Sequence, residues 1–226
     1  MANFSKERYQ SALTEIRQRL FSADILATKE NVVFIESTAL QIRKILELIS
    51  YLSVLVNSEK LNHKEKNEWH PQKIIETLTT KTTIFYPFPS RIIAPKNREA
   101  EPTLIPLLSK QALSQADFID AYSSCGRILH AQHPFKEDLD FVCYFSKNKE
   151  ILRKIRYLLQ NHVIAIRHDS KKYTFLCVEF DFTNSEDARP TIIQEYKTHI
   201  FDELQLKSLF DELWGNMQKD PASSFS

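Results

Sequence analysis

Arg127, His130 and His133 fall in one short segment, YSSCGRILHAQHPF (Tyr122 to Phe135), and their types suit proton transfer beside a phosphate. His130 stands three residues from each of the others, so a helix would line them along one edge. Histidine exchanges a proton near neutral pH. Arginine holds phosphate oxygens through its N–H donors. Together they suit RNA cleavage by attack of the 2′-hydroxyl, which needs proton transfer and charge stabilisation but no metal. The same residues have a plainer use. Arg127 could pair with Glu36 or Glu47, and His130 could cap a carbonyl, fixing helix register. His130 and His133 could also reach one metal ion, with Glu137, Asp138 and Asp140 following. Zinc and manganese use such ligands. Pro134 interrupts the helix, however, and leaves those carboxylates without defined geometry, so neither a metal nor another cofactor is expected.

The element that must position this chemistry is ENVVFIESTALQIRKILELISYLSVLV, residues 30 to 56, which reads as one long and nearly apolar helix. Glu36, Arg43 and Glu47 interrupt it at spacings that put all three on one face. Charges on so apolar a helix are costly to bury unless they pair or serve a site. An inner face of a helical core thus carries organised polarity, and the pattern alone does not say what that polarity serves.

A second electrostatic feature runs from Lys147 to Lys172, where many lysines and arginines meet only Glu150 and Asp169. Lys149, Arg153 and Arg156 recur at helix spacing opposite an apolar face of Ile151, Leu152, Ile155, Leu158 and Leu159. These cations could track a phosphate backbone. They could equally face acids elsewhere, such as Glu179, Asp181, Glu186 and Asp187. The whole-chain charge of +1 favours that second use.

Composition narrows the classes. Only Gly126 and Gly215 are glycine among 226 residues, which argues against the phosphate-cradling loops of the common nucleotide-binding folds. Neither a G-x-S-x-G elbow nor an H-E-x-x-H helix is present. The amino terminus lacks the apolar core of a signal peptide, and Ile45 to Val56 is too short to cross a bilayer. Cys125, Cys143 and Cys177 are scattered and odd in number, as for reduced thiols in a cytoplasmic protein.

Periodicity predicts helices over residues 5–26 and 30–56, a short one from Pro71 to about Thr79, and another from Ser114 until Pro134. Further helices are expected over 147–160 and 200–214, the last capped by Gly215. The proline-rich stretch from Pro87 to Pro106 reads as extended or looping chain. VIAIRH and YTFLCVEFDF read as one β-hairpin, with Leu176, Val178, Phe180 and Phe182 on a shared face. The expected architecture is mainly α (α+β) in a single domain. A helical bundle spans 5–162, a β-hairpin and final helix 163–216, and a frayed tail 217–226.

Four segments carry a family resemblance. E-S-T-A-L-Q-I-R-K-I-L-E-L-I (Glu36 to Ile49) with C-G-R-I-L-H-A-Q-H-P-F (Cys125 to Phe135), Y-P-F-P (Tyr86 to Pro89) and N-H-V (Asn161 to Val163) resemble uncharacterised bacterial proteins. Those proteins look like distant members of the HEPN superfamily. The likeness covers roughly residues 30 to 165. It implies a HEPN-like helical bundle, a cytoplasmic RNA-directed protein, a toxin or defence ribonuclease, and a homodimer with its site across the two-fold axis. The family's arginine-then-histidine spacing is met by Arg127 with His133, and also by Arg156 with His162. On this reading Arg127, His130 and His133 act on RNA, Arg43 and Glu47 orient them, and Lys149, Arg153 and Arg156 bind the backbone. An antitoxin is a possible partner. Ile128 stands where the family usually has a polar residue. That departure favours a rival, a non-catalytic binding or regulatory module engaging a protein partner.

Overall fold

Helix α2 (Val32–Val56) is the axis of the molecule, with Ile35, Ala39, Ile42, Leu46, Ile49, Leu52 and Val56 buried along it. Asn31 starts it by accepting a hydrogen bond from the Val33 amide at 2.9 Å. The computed structural model describes residues 4–82, 84–93, 103–107, 111–131, 135, 138–168, 172–183, 191–198 and 203–218. Around α2 pack α1 (Lys6–Leu26), α4 (Pro71–Lys81), α5 (Gln115–Leu129) and α6 (Phe141–Gln160). A one-turn helix, α3 (His63–Lys66), lies in the polar segment before α4. The caps agree with the chemistry of their residues. Ser5 caps α1, Ser114 and Asp117 form a capping box on α5, Asp140 caps α6, and Pro71 opens α4.

The β structure differs from expectation. In place of a helical bundle with one hairpin, the chain builds a five-stranded antiparallel sheet in the order β2-β1-β3-β4-β5. The anticipated hairpin is its centre, β3 (Asn161–Arg167) and β4 (Tyr173–Glu179). Strands β1 (Phe88–Ile93) and β2 (Thr103–Pro106) come from the proline-rich stretch, and β5 (Ile192–Thr198) from a segment without clear alternation. Proline excludes helix but not extended chain, and residues preceding it are biased toward β geometry. Pro89 has no N–H to give, and β1 pairs with β3 over only Phe88↔Val163 and Pro89↔His162.

Each face of the sheet is covered. Strand alternation sends Ile164, Leu176, Val178, Phe180 and Ile193 into the main core with the helices. Val163, Ala165, Phe175 and Cys177 point the other way, with Phe88. Against that second face lies α7 (Glu203–Gln218), whose Phe210 ring meets Phe88 at 4.8 Å between centroids. Gly215, expected as a cap, lies inside α7. The tail expected over 217–226 falls outside the described residues beyond Gln218.

Candidate functional site

The polar face of α2 is organised around Arg43. Its guanidinium carbon sits 4.2 Å from the Tyr122 ring centroid, and Nη2 donates to the Tyr122 hydroxyl at 2.7 Å. Nε lies 3.6 Å from a Glu47 carboxylate oxygen, while Lys44 donates to the other oxygen at 2.8 Å. Gly126 makes room for this. A Cβ on Gly126 would lie 3.2 Å from Arg43 Nη1, so glycine lets the guanidinium rest against α5. The arrangement continues through His70, whose ring meets Tyr122 edge-on at 5.6 Å, to the exposed Trp69.

The protonation states here are those of a structural network. Burial pushes the Cys125 thiol up to about 12, against the opposing pull of Arg43. Burial also raises the Tyr122 phenol, with Arg43 opposing and Glu47 adding to the rise. Neither group is an ionised nucleophile at neutral pH. Glu47 is held between Arg43 and Lys44. This is a paired, half-buried cluster joining α2 to α5.

Of the expected site residues, Arg43 and Glu47 do come together. Arg127 and His130 do not join them through any bond. Arg127 is exposed and makes no ion pair or hydrogen bond among the described residues, so no pair with Glu36 or Glu47 forms. Helix α5 stops at Leu129, short of the expected end near Pro134, and His130 is its C-cap in extended conformation (φ −87°, ψ 139°). A common helix edge for Arg127, His130 and His133 therefore does not exist. His133 lies outside the described residues. His130 instead lines a cleft of about 310 Å³ with Glu36, Ile128, Leu129, Leu139 and Phe141. An imidazole and a carboxylate facing one cleft retain a capacity for acid–base chemistry.

The basic face of α6 is largely neutralised. Arg153 pairs with Glu150 at 2.6 Å, Lys147 with Asp120 at 2.8 Å and Lys154 with Asp117 at 3.0 Å. Arg156 pairs with Asp24 of α1. Lys149 places its ammonium 3.8 Å from the Phe145 ring centroid. These cations meet acids from α1, α5 and α6 in place of the acids expected near the carboxyl end. His162, which shares the family spacing with Arg156, is fully buried and bonded to Tyr9.

Sequence reasoning missed Tyr122, Gly126 and His70. One signal was available: Gly126, one of two glycines in the chain, sits inside a helical pattern where glycine has no local use. Among the described residues no group of three or more His, Cys, Asp or Glu could hold a metal ion, and no helix is long and apolar enough to cross a membrane. No protein-family model, curated protein or solved structure matches this chain.

Proposed function

We propose that the chain is a non-catalytic binding module that engages a protein partner through the tip of the α1–α2 hairpin. The observation that carries this reading is the exposure of Phe21, Ile25, Val32, Val33 and Phe34 at that tip, Ile25 at 55% and Val33 at 64%. Phe21 and Ile25 lie one turn apart on α1, and the others open α2. Single apolar side chains in water are ordinary, but several gathered at one end of a hairpin mark an interaction surface. Exposed Lys29 and Glu30 in the connection supply a polar rim. The internally paired Arg43 cluster and the neutralised α6 face support the same reading.

Affinity capture with wild type, Ile25→Lys and Val33→Asp, each checked for an unchanged melting curve, tests it. One protein enriched by wild type and lost from both variants is the expected result. Equal enrichment by all three, or binding to lipid vesicles in place of a protein, contradicts it.

A second reading keeps one observation. His130 is unpaired among the described residues and shares a cleft with Glu36, as an acid–base pair acting on RNA would. The resemblance to HEPN proteins supports this ribonuclease reading. Under it, EDTA-resistant RNA cleavage by wild type disappears in His130→Ala.

A further inference from the structure

At one end of the sheet, the strand register sets Asn161 opposite Glu179 and Glu179 opposite Ile192. These three, with Arg91, Gln160 and Phe180, line a cleft of about 380 Å³. Three of its polar side chains are free to meet a ligand. Asn161 is only 9% exposed, yet its side-chain amide has no hydrogen-bond partner among the described residues. An amide carries two donors and two acceptor sites, all of which a ligand in the cleft could use. Arg91 and Glu179 both face the cleft, and neither forms an ion pair with the other or with any other described residue.

The geometry points to a binding site for a small zwitterion, a ligand bearing one carboxylate, one ammonium group and a modest apolar side chain. A simple anion would find Arg91 but also the carboxylate of Glu179, while the Asp181 carboxylate already accepts from the Thr183 amide. A simple cation would find Glu179 but also Arg91. A zwitterion satisfies both signs together. Asn161 and Gln160 present amides that match a peptide group or the ligand's polar atoms. Phe180 and Ile192 form an apolar wall. The volume falls in the range of small-ligand sites and admits a free amino acid or a dipeptide. The two sources share this chemistry but differ in the separation of their charges. This site is remote in sequence from the α1–α2 tip and does not depend on the docking reading.

Calorimetry on the full chain with L-leucine and leucyl-glycine, against isocaproate and isoamylamine, tests the assignment. The last two keep the apolar chain and carry one charge each. At least one zwitterion is expected to bind about tenfold more tightly than either singly charged compound. Whichever binds identifies the source. Arg91→Ala and Glu179→Gln should each weaken that binding about tenfold with no change in melting temperature, since both side chains are unpaired and exposed. Equal binding of all four compounds overturns the site, as does no binding of either zwitterion at millimolar concentration. Asn161→Asp provides a second check that leaves side-chain volume unchanged. An added negative charge beside Glu179 should shift preference toward isoamylamine, and an unchanged order of affinities counts against the assignment.

Discussion

Tyr9 donates its hydroxyl proton to Nε2 of His162 at 2.9 Å, tying α1 to the first residues of β3 across 153 positions of chain. The tautomer follows from the other nitrogen, because Nδ1 lies 2.9 Å from the Leu159 carbonyl, which can only accept. Both rings are fully buried. Burial lowers the His162 pKa to about 4, and the carbonyl contact opposes the shift without reversing it.

A pH dependence follows with a definite sign. The unfolded histidine takes up its proton near 6.5, while the folded one resists until about 4. The contribution is therefore complete above pH 6.5 and is lost as pH falls toward 4, by about 3 kcal/mol. Denaturant melts across this window should show that decline in wild type. In His162→Gln the curve should be flatter there, although less stable at neutral pH. Parallel curves would show that His162 is not the titrating group.

Arg43 and Gly126 should be energetically coupled. In wild type Gly126→Ala gains helix propensity but presses a methyl group on Arg43 Nη1, so its net effect should be within about 0.5 kcal/mol of zero. With Arg43→Ala already in place the same change should stabilise by about 1 kcal/mol. A double-mutant cycle by chemical denaturation measures this, and additivity would contradict the close approach.

Freeing the basic face of α6 should raise its affinity for RNA. Asp24→Asn and Asp120→Asn together release Arg156 and Lys147 from their partners. Filter binding to single-stranded RNA at low salt should rise about tenfold and collapse as salt increases. Tight, salt-sensitive binding already present in wild type would instead favour the RNA reading.

The three thiols should separate in a labelling experiment. Cys143 is exposed, whereas Cys125 and Cys177 are buried, with both thiol pKa values raised by burial. Mass spectrometry after brief maleimide treatment should find one adduct, on Cys143. Rapid modification of Cys125 would mean that the α2–α5 contact opens readily.

The helices were legible in the sequence where an apolar period of 3.6 ran long enough, as in α1 and α2. The sheet was not. Strand β1 carries Pro89 within it, and in β5 Ile193 is the one buried side chain among those described, so neither shows the alternation that marks a half-buried strand. The end of α5 was misplaced because Leu129 and His130 offer no stop signal, while Pro134, four residues on, does. Arg43 and Glu47 were recognisable as charges misplaced on an apolar helix. Their partner Tyr122 was not, because it lies 79 residues away and ordinary packing would equally explain a tyrosine there. The neutralisation of α6 depends on Asp24, Asp117 and Asp120, which only tertiary packing brings near.

Photocrosslinking in the living cell separates protein docking at the α1–α2 tip from RNA chemistry at His130, with a benzophenone side chain placed at Ile25 in one protein and at His130 in another. Docking through the α1–α2 tip should give a protein adduct at position 25, abolished by Val33→Asp, and none at position 130. An RNA adduct at position 130 with no protein adduct at position 25 would contradict it.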